Sequence, residues 1–80
     1  MTSSKQSQEA TKMYKKILKL PVVIEMTTKC RSSIYLDISN RTFPKQINLG
    51  KNSVGWLLSE IQEWIDARIQ ERDEELNNND

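Results

Sequence analysis

The stretch from Phe43 to Ile65, FPKQINLGKNSVGWLLSEIQEWI, constrains this chain more than any other. Pro44 pushes the residue before it toward extended backbone. Beyond it, Ile47 and Leu49 alternate with Gln46 and Asn48, the period-2 pattern of a strand with one buried face. Gly50-Lys51-Asn52 supplies a turn, because Gly and Asn tolerate positive φ and Lys51 suits a solvated tip. Val54 and Trp56 then alternate again, with Gly55 expected on the outward face. Two short strands about a polar turn predict a hairpin. A helix follows at once. Ser59 and Gln62 have capping-box spacing, and Leu58, Ile61, Ile65 and Ile69, with Trp64 and Leu57 beside them, form an apolar stripe of helical period. An isolated hairpin is marginal in water, so this one must lean on that helix or on what precedes it.

Eighty residues make one small domain, near the lower limit for a self-sufficient core. Residues 1–16 read as a flexible basic arm, 17–72 as the folded domain and 73–80 as an acidic disordered tail. A single Cys excludes an internal disulfide, and no apolar run is long enough for a signal peptide or a membrane helix. The expectation is a cytoplasmic protein with no membrane association. The absence of His removes the usual general base and the commonest metal ligand. Glu60, Glu63, Asp66 and Glu71 fall on a solvated helix face with no nucleophile, base or phosphate loop beside them. No catalytic residue, metal or cofactor is expected.

The net charge of +1 conceals an asymmetry: residues 1–51 sum to +7 and residues 52–80 to −6. A basic front and an acidic back point to a polyanionic partner for the front half, with plain solvation of both halves as the alternative. Ahead of the hairpin, the KILKL segment alternates, so Lys16 to Leu20 reads as extended. Pro21 suits the first turn of a short helix with Val22, Val23 and Met26 on its apolar side, ending near Thr27-Thr28. A second short helix starts around Cys30-Arg31-Ser32, with Ile34, Tyr35 and Ile38 on one face, and closes at Asn40-Arg41-Thr42. Two short helices about three residues apart make a helix-turn-helix. The order is helix, turn, helix, hairpin, helix. That predicts a mostly α fold with a small β-hairpin, an α+β winged helix-turn-helix.

ILKLPVVIEMTTKCRSSIY, then FPKQINLG, then VGWLLSEIQEWIDARI, resembles the AlpA-like phage and prophage regulators. Their pattern runs as a Leu-Pro opening helix, Thr-Gly-Leu-Ser-Arg-Ser-Thr-Ile-Tyr, Phe-Pro-x-x-x-x-Leu-Gly, and Val-x-Trp before a helix with a second Trp. The likeness covers about Leu18 to Arg72, and it extends more distantly to excisionase and MerR-type DNA-binding domains. It implies a small DNA-binding protein of a mobile element. Such proteins regulate integrase or prophage genes, or act as excisionases that bend attachment-site DNA. The partner implied is double-stranded DNA, with an integrase or further copies of the chain on adjacent sites as secondary candidates. The second helix would enter the major groove and the hairpin would touch the backbone. Three departures stand out. Thr28-Lys29 replaces Gly-Leu in the turn, Cys30 replaces Ser at the helix start, and Leu36-Asp37 replaces an Arg-Leu pair. The last makes the recognition helix less basic, so the departures bear on target and strength of binding.

By position in that family, Arg31, Ser32, Ser33 and Tyr35 match the recognition segment, and Lys45 and Lys51 match basic wing positions. Lys29, Arg41 and Asn52 complete the expected DNA-contacting set. Arg31 has the planar fork for guanine or phosphate. Ser32 and Ser33 have hydroxyls for phosphate or for capping, and Tyr35 can pack its ring while presenting its hydroxyl. Trp56 and Trp64 lie on the apolar phase and read as core. Cys30, near a helix start, has no second Cys or His to make a redox or metal site with. The competing reading is a protein-binding module that controls an integrase or regulator through the C-terminal helix.

Overall fold

The computed structural model describes residues 15–78, so the basic arm expected over 1–16 lies almost wholly outside the described residues. The elements are β1 (Ile17–Leu18), α1 (Leu20–Thr27), α2 (Arg31–Ser39), β2 (Ile47–Gly50), β3 (Ser53–Leu57) and α3 (Leu58–Asn78). This is the expected winged helix-turn-helix, with one strand more than the hairpin. β1 pairs antiparallel with β3, Ile17 opposite Leu57 and Leu18 opposite Trp56, giving a sheet of order β1-β3-β2. The extra strand answers the instability of a lone hairpin, because it makes β3 central and bonded on both edges. No helix among the described residues is long and apolar enough to cross a membrane.

Local chemistry sets each helix. Pro21 falls in the first turn of α1, where its missing N–H leaves no bond unmade. Lys19 O accepts from Val22 and Val23 N–H at 3.0 and 3.1 Å to start the helix. Thr28 ends it in the left-handed region, φ 61°, with its N–H on Ile24 O at 2.7 Å. The buried Thr27 hydroxyl donates to Val23 O at 2.8 Å and accepts from Lys29 N–H at 3.3 Å, so its polarity is satisfied locally. α2 ends in a Schellman arrangement: Arg41 N–H donates to Ile38 O at 3.0 Å and Thr42 N–H to Asp37 O at 2.8 Å. Arg41 occupies the left-handed position there, φ 62°, where Gly is usual.

The core is Leu18, Val23, Ile34, Phe43, Trp56 and Ile61, with Tyr35, Ile38, Val54, Leu58, Trp64 and Ile65 packed around it. Each fully buried aliphatic side chain contributes about 1.5–3 kcal/mol by leaving water. Both indoles are tied to the loop between α2 and β2. Trp56 Nε1 donates to Pro44 O at 3.0 Å, and Trp64 Nε1 to Thr42 O at 2.9 Å. Phe43 sits between the two acceptor residues, Thr42 and Pro44, in the chain and meets the Trp64 ring edge-on at 5.1 Å.

Five expectations are corrected. Val22 is exposed, and Ile24 packs on the core in its place. Ile47 and Leu49 do not join the core; Leu49 is exposed on the other side of the sheet from Trp56. Gly55 is covered, because Ile17 and Leu49 close over it and a Cβ would collide with Ile17 Cγ2. α3 begins at Leu58, whose N–H donates to Lys16 O at 2.8 Å, so Ser59 lies inside the helix rather than at its cap. Finally, α3 runs on through residues 73–78, where an irregular tail was expected. That segment is rich in Glu and contains no Gly or Pro, so nothing in it breaks the helix.

A β-branched residue in the left-handed region is strained by roughly 1–2 kcal/mol, part of which glycine would lose again in the unfolded chain. Thr28→Gly should therefore raise unfolding stability by about 0.5–1 kcal/mol in urea melts. A loss of stability would mean that the Thr28 hydroxyl, which donates to Thr27 O, outweighs the strain.

Candidate nucleic-acid interface

α2 is anchored on one side and open on the other. Ile34 is fully buried, Tyr35 and Ile38 are half-buried, and Tyr35 meets the Trp56 ring edge-on at 6.2 Å. The opposite side presents Ser32, Leu36 and Ser39 to solvent, and Arg31, in the first turn one turn ahead of Tyr35, is exposed at the helix start. The Arg31 guanidinium stands 5.9 Å from the Tyr35 ring centre, a cation–π contact that restricts the side chain without neutralising it.

Lys29 and Asp37 are the residues that sequence reasoning placed without seeing that they meet. Lys29 Nζ lies 2.6 Å from Asp37 Oδ2, and the ammonium is 5.8 Å from the Trp64 ring centre. The turn between α1 and α2 folds Lys29 back over the helix, so their separation in sequence follows no helical period. Lys29 is thus engaged inside the protein, and the one carboxylate on α2 is answered. Arg41 is exposed at the end of α2, held by its left-handed backbone.

The wing supplies the remaining expected residues. Lys45 is exposed just before β2. Lys51 and Asn52 form the exposed hairpin tip, where Asn52 takes φ 58°. Asn48 Oδ1 accepts from Gly50 N–H at 3.2 Å beside a register shift, which fixes the tip. Lys19 Nζ donates to Ser53 Oγ at 2.7 Å, a contact between positions too far apart for any local sequence signal. Arg31, Ser32, Arg41, Lys45, Lys51 and Asn52 are thus exposed; Ser33 and Tyr35 are half-buried, and Lys29 is paired. No group of His, Cys, Asp or Glu among the described residues is arranged to hold a metal ion.

Cys30 occupies the N-cap of α2 without a side-chain cap bond. Its sulfur lies 3.4 Å from the Ser32 hydroxyl and 3.3 Å from that of Ser33. These hydroxyls, Ser32 first and then Ser33, favour the thiolate and lower the thiol pKa to about 6. A folded-state pKa below the unfolded one adds stability at alkaline pH, which is lost as pH falls through about 6. Alkylation of folded protein should follow a pH profile with its midpoint near 6, against ~8.5 for unfolded chain. Coincident midpoints would show that the serines leave the thiol unchanged.

Residues 16–69 match the family described as prophage CP4-57 regulatory protein (AlpA). Over 61 residues the chain is 42% identical to the DNA-binding transcriptional activator AlpA of Escherichia coli (strain K12), covering 69% of this chain and 87% of that protein. Over 57 residues it is 39% identical to the uncharacterized protein ORF88 of Enterobacteria phage P4, covering 71% of this chain and 65% of that protein. The family match spans β1, the helix-turn-helix, the wing and α3 as far as Ile69, both tryptophans included. This chain belongs to the AlpA family of prophage regulatory proteins.

Proposed function

We propose that this chain is a DNA-binding transcriptional regulator of a mobile element, working in the cytoplasm on double-stranded DNA and without a catalytic step. The observation that carries the reading is the two-sidedness of α2. One side is locked to the core through Ile34, Tyr35 and Ile38, while Ser32, Leu36 and Ser39 on the other and Arg31 at the helix start are exposed, and the one carboxylate of α2 is paired. A helix so held presents donors to a groove at low entropic cost. The similarity to an activator named as DNA-binding supports the same reading.

In this proposal Arg31, with Ser32, Ser33 and Tyr35, addresses the major groove, and Arg41 takes a phosphate at the end of α2. Lys45, Lys51 and Asn52 contact the backbone from the wing. Lys29 joins them when phosphate competes for its ammonium. The genes regulated are those of an integrase or a prophage. An excisionase role, with DNA bending and an integrase as partner, is the finer form of the proposal. The second reading, a protein-binding module acting through α3, is favoured by one observation: Ile69 and Leu76 are exposed on that helix.

Fluorescence anisotropy with duplexes tiled across the host element separates the two. Arg31→Ala should weaken specific binding by ~1–3 kcal/mol, the range for a bidentate contact. Its far-UV spectrum should not change, since Arg31 is exposed in the first turn of α2 and its loss leaves no cavity. Binding equal to the parent on every duplex would remove α2 from the groove.

Two further variants address charge. Asp37→Asn releases Lys29, so binding should tighten and the salt slope should steepen by ~1. Lys51→Ala should weaken binding to all duplexes alike and reduce the slope by ~1. Unchanged slopes in both would take these ammonium groups out of the interface.

A further inference from the structure

The solvent side of α2 carries an apolar side chain at its centre. Ser32, Leu36 and Ser39 recur at i, i+4 and i+7, so they line one side of the helix with Leu36 in the middle. Leu36 is 60% exposed and lies outside both the core cluster and the side chains packed against it. Among the described residues only Leu76, in the last turn of α3, is an equally exposed large apolar side chain. The serines beside Leu36 are turned back on the protein. Ser39 Oγ donates to Leu36 O at 2.7 Å, and Ser32 Oγ lies 3.4 Å from Cys30 Sγ. Between Arg31 and Asn40 the helix holds no Arg, Lys, Asn or Gln, the side chains that pair bidentately with base edges. The foremost group on this side is therefore a hydrocarbon.

The charges lie at the two ends of the helix. Arg31 in the first turn and Arg41 just past the last are both exposed, and the carboxylate between them is held by Lys29 at 2.6 Å. A polyanion gripped at both ends of α2 would lie across Leu36. A single exposed leucine on an ordinary surface needs no explanation. One pressed against a duplex loses its water and gains only if it meets another apolar group. In the major groove the base edges offer donors and acceptors, and the one apolar group among them is the C5-methyl of thymine.

We propose that Leu36 is a specificity-determining residue that packs on the C5-methyl group of a thymine in the major groove. This rests on the reading of α2 as the groove-facing helix and deepens it. Arg31 contributes charge and hydrogen bonds, and Leu36 adds a preference for thymine that needs neither. The small side chains of Ser32 and Ser39 on either side leave Leu36 free to approach the base edge closely. Cytosine in the same place presents C5–H and an N4 amino donor, and a leucine would cover that donor without pairing it.

Anisotropy of the full chain on its tightest-binding tiled duplex tests the assignment. Each thymine is replaced singly by deoxyuridine, which removes the methyl group and keeps every base-pairing atom. For the parent, one such replacement should weaken binding about fourfold, the worth of one methyl group leaving water. Leu36→Ala should bind the thymine duplex more weakly by at least that factor, and should no longer distinguish thymine from deoxyuridine at that position. Its salt slope should match the parent's, because no phosphate contact is lost. Near-UV spectra of the tryptophans verify its fold. A parent indifferent to every thymine methyl overturns the proposal without recourse to a variant. So does a Leu36→Ala protein that keeps the thymine preference, since another group or the shape of the duplex would then read the methyl. A slope reduced by ~1 would also overturn it, by showing a lost phosphate contact instead. Arg31→Ala separates this failure from that of the wider reading. If that variant binds weakly while deoxyuridine changes nothing, the Leu36 assignment alone falls. If Arg31→Ala and Leu36→Ala both bind every duplex like the parent, α2 is out of the groove and both readings fall.

Discussion

The placement of α2 and of the loop that leads to the wing depends first on Trp56. Its ring is fully buried between β3 and the edge of Tyr35 on α2, and its indole N–H ends on Pro44 O in the loop that leads to the wing. One side chain therefore sets the height of α2 above the sheet and the path of the chain into β2. Replacing it with alanine would remove the largest fully buried side chain, a change that costs about 3–5 kcal/mol in comparable cores. That is a large part of what a domain this small has to lose. Trp64 repeats the device one layer out, on Phe43 and Thr42 O.

The parts legible in the sequence were those encoded by local period or by residues with special backbone demands. Ile34, Tyr35 and Ile38 mark the buried side of α2 through helical spacing alone, and Gly50-Lys51-Asn52 marks the tip through turn chemistry. What escaped was non-local. β1 is two residues long, too short for a periodic signal, and it exists because β3 offers it an edge. The sheet face opposite Trp56 escaped for a related reason. Ile47 and Leu49 alternate correctly for a strand, but alternation does not say which of two faces is the core, and here Trp56 decides it for the opposite side. At the site, Arg31, Ser32, Lys45 and Lys51 could be picked out by residue type, whereas the engagement of Lys29 by Asp37 depends on the path of a turn.

Two left-handed residues bracket α2, Thr28 before it and Arg41 after it, and neither is glycine. Each is fixed by hydrogen bonds from its own amide to the preceding helix, so the backbone geometry survives the unfavourable side chain. The consequence differs at the two ends. Thr28 brings only its hydroxyl, which turns back to the chain, so its strain is offset by little. Arg41 brings a guanidinium to solvent at the point where α2 ends and the chain turns toward the wing, which is where a phosphate contact would be useful.

In the proposed DNA-binding mode, the Lys29–Asp37 pair accounts for how a helix with a carboxylate could face DNA. Both side chains are about a quarter exposed, at 24% and 26%, so the pair is partly solvated and its net worth is small. Exposed pairs contribute at most about 1 kcal/mol. A phosphate approaching Lys29 therefore has little to overcome. When it does, Asp37 is left beside an anionic backbone, and the repulsion returns part of the gain. In the proposed complex the pair would temper binding rather than block it, and equally for every sequence. A departure that looks hostile to DNA contact at the level of residue type becomes, once the turn is folded, a moderate and reversible cost to affinity.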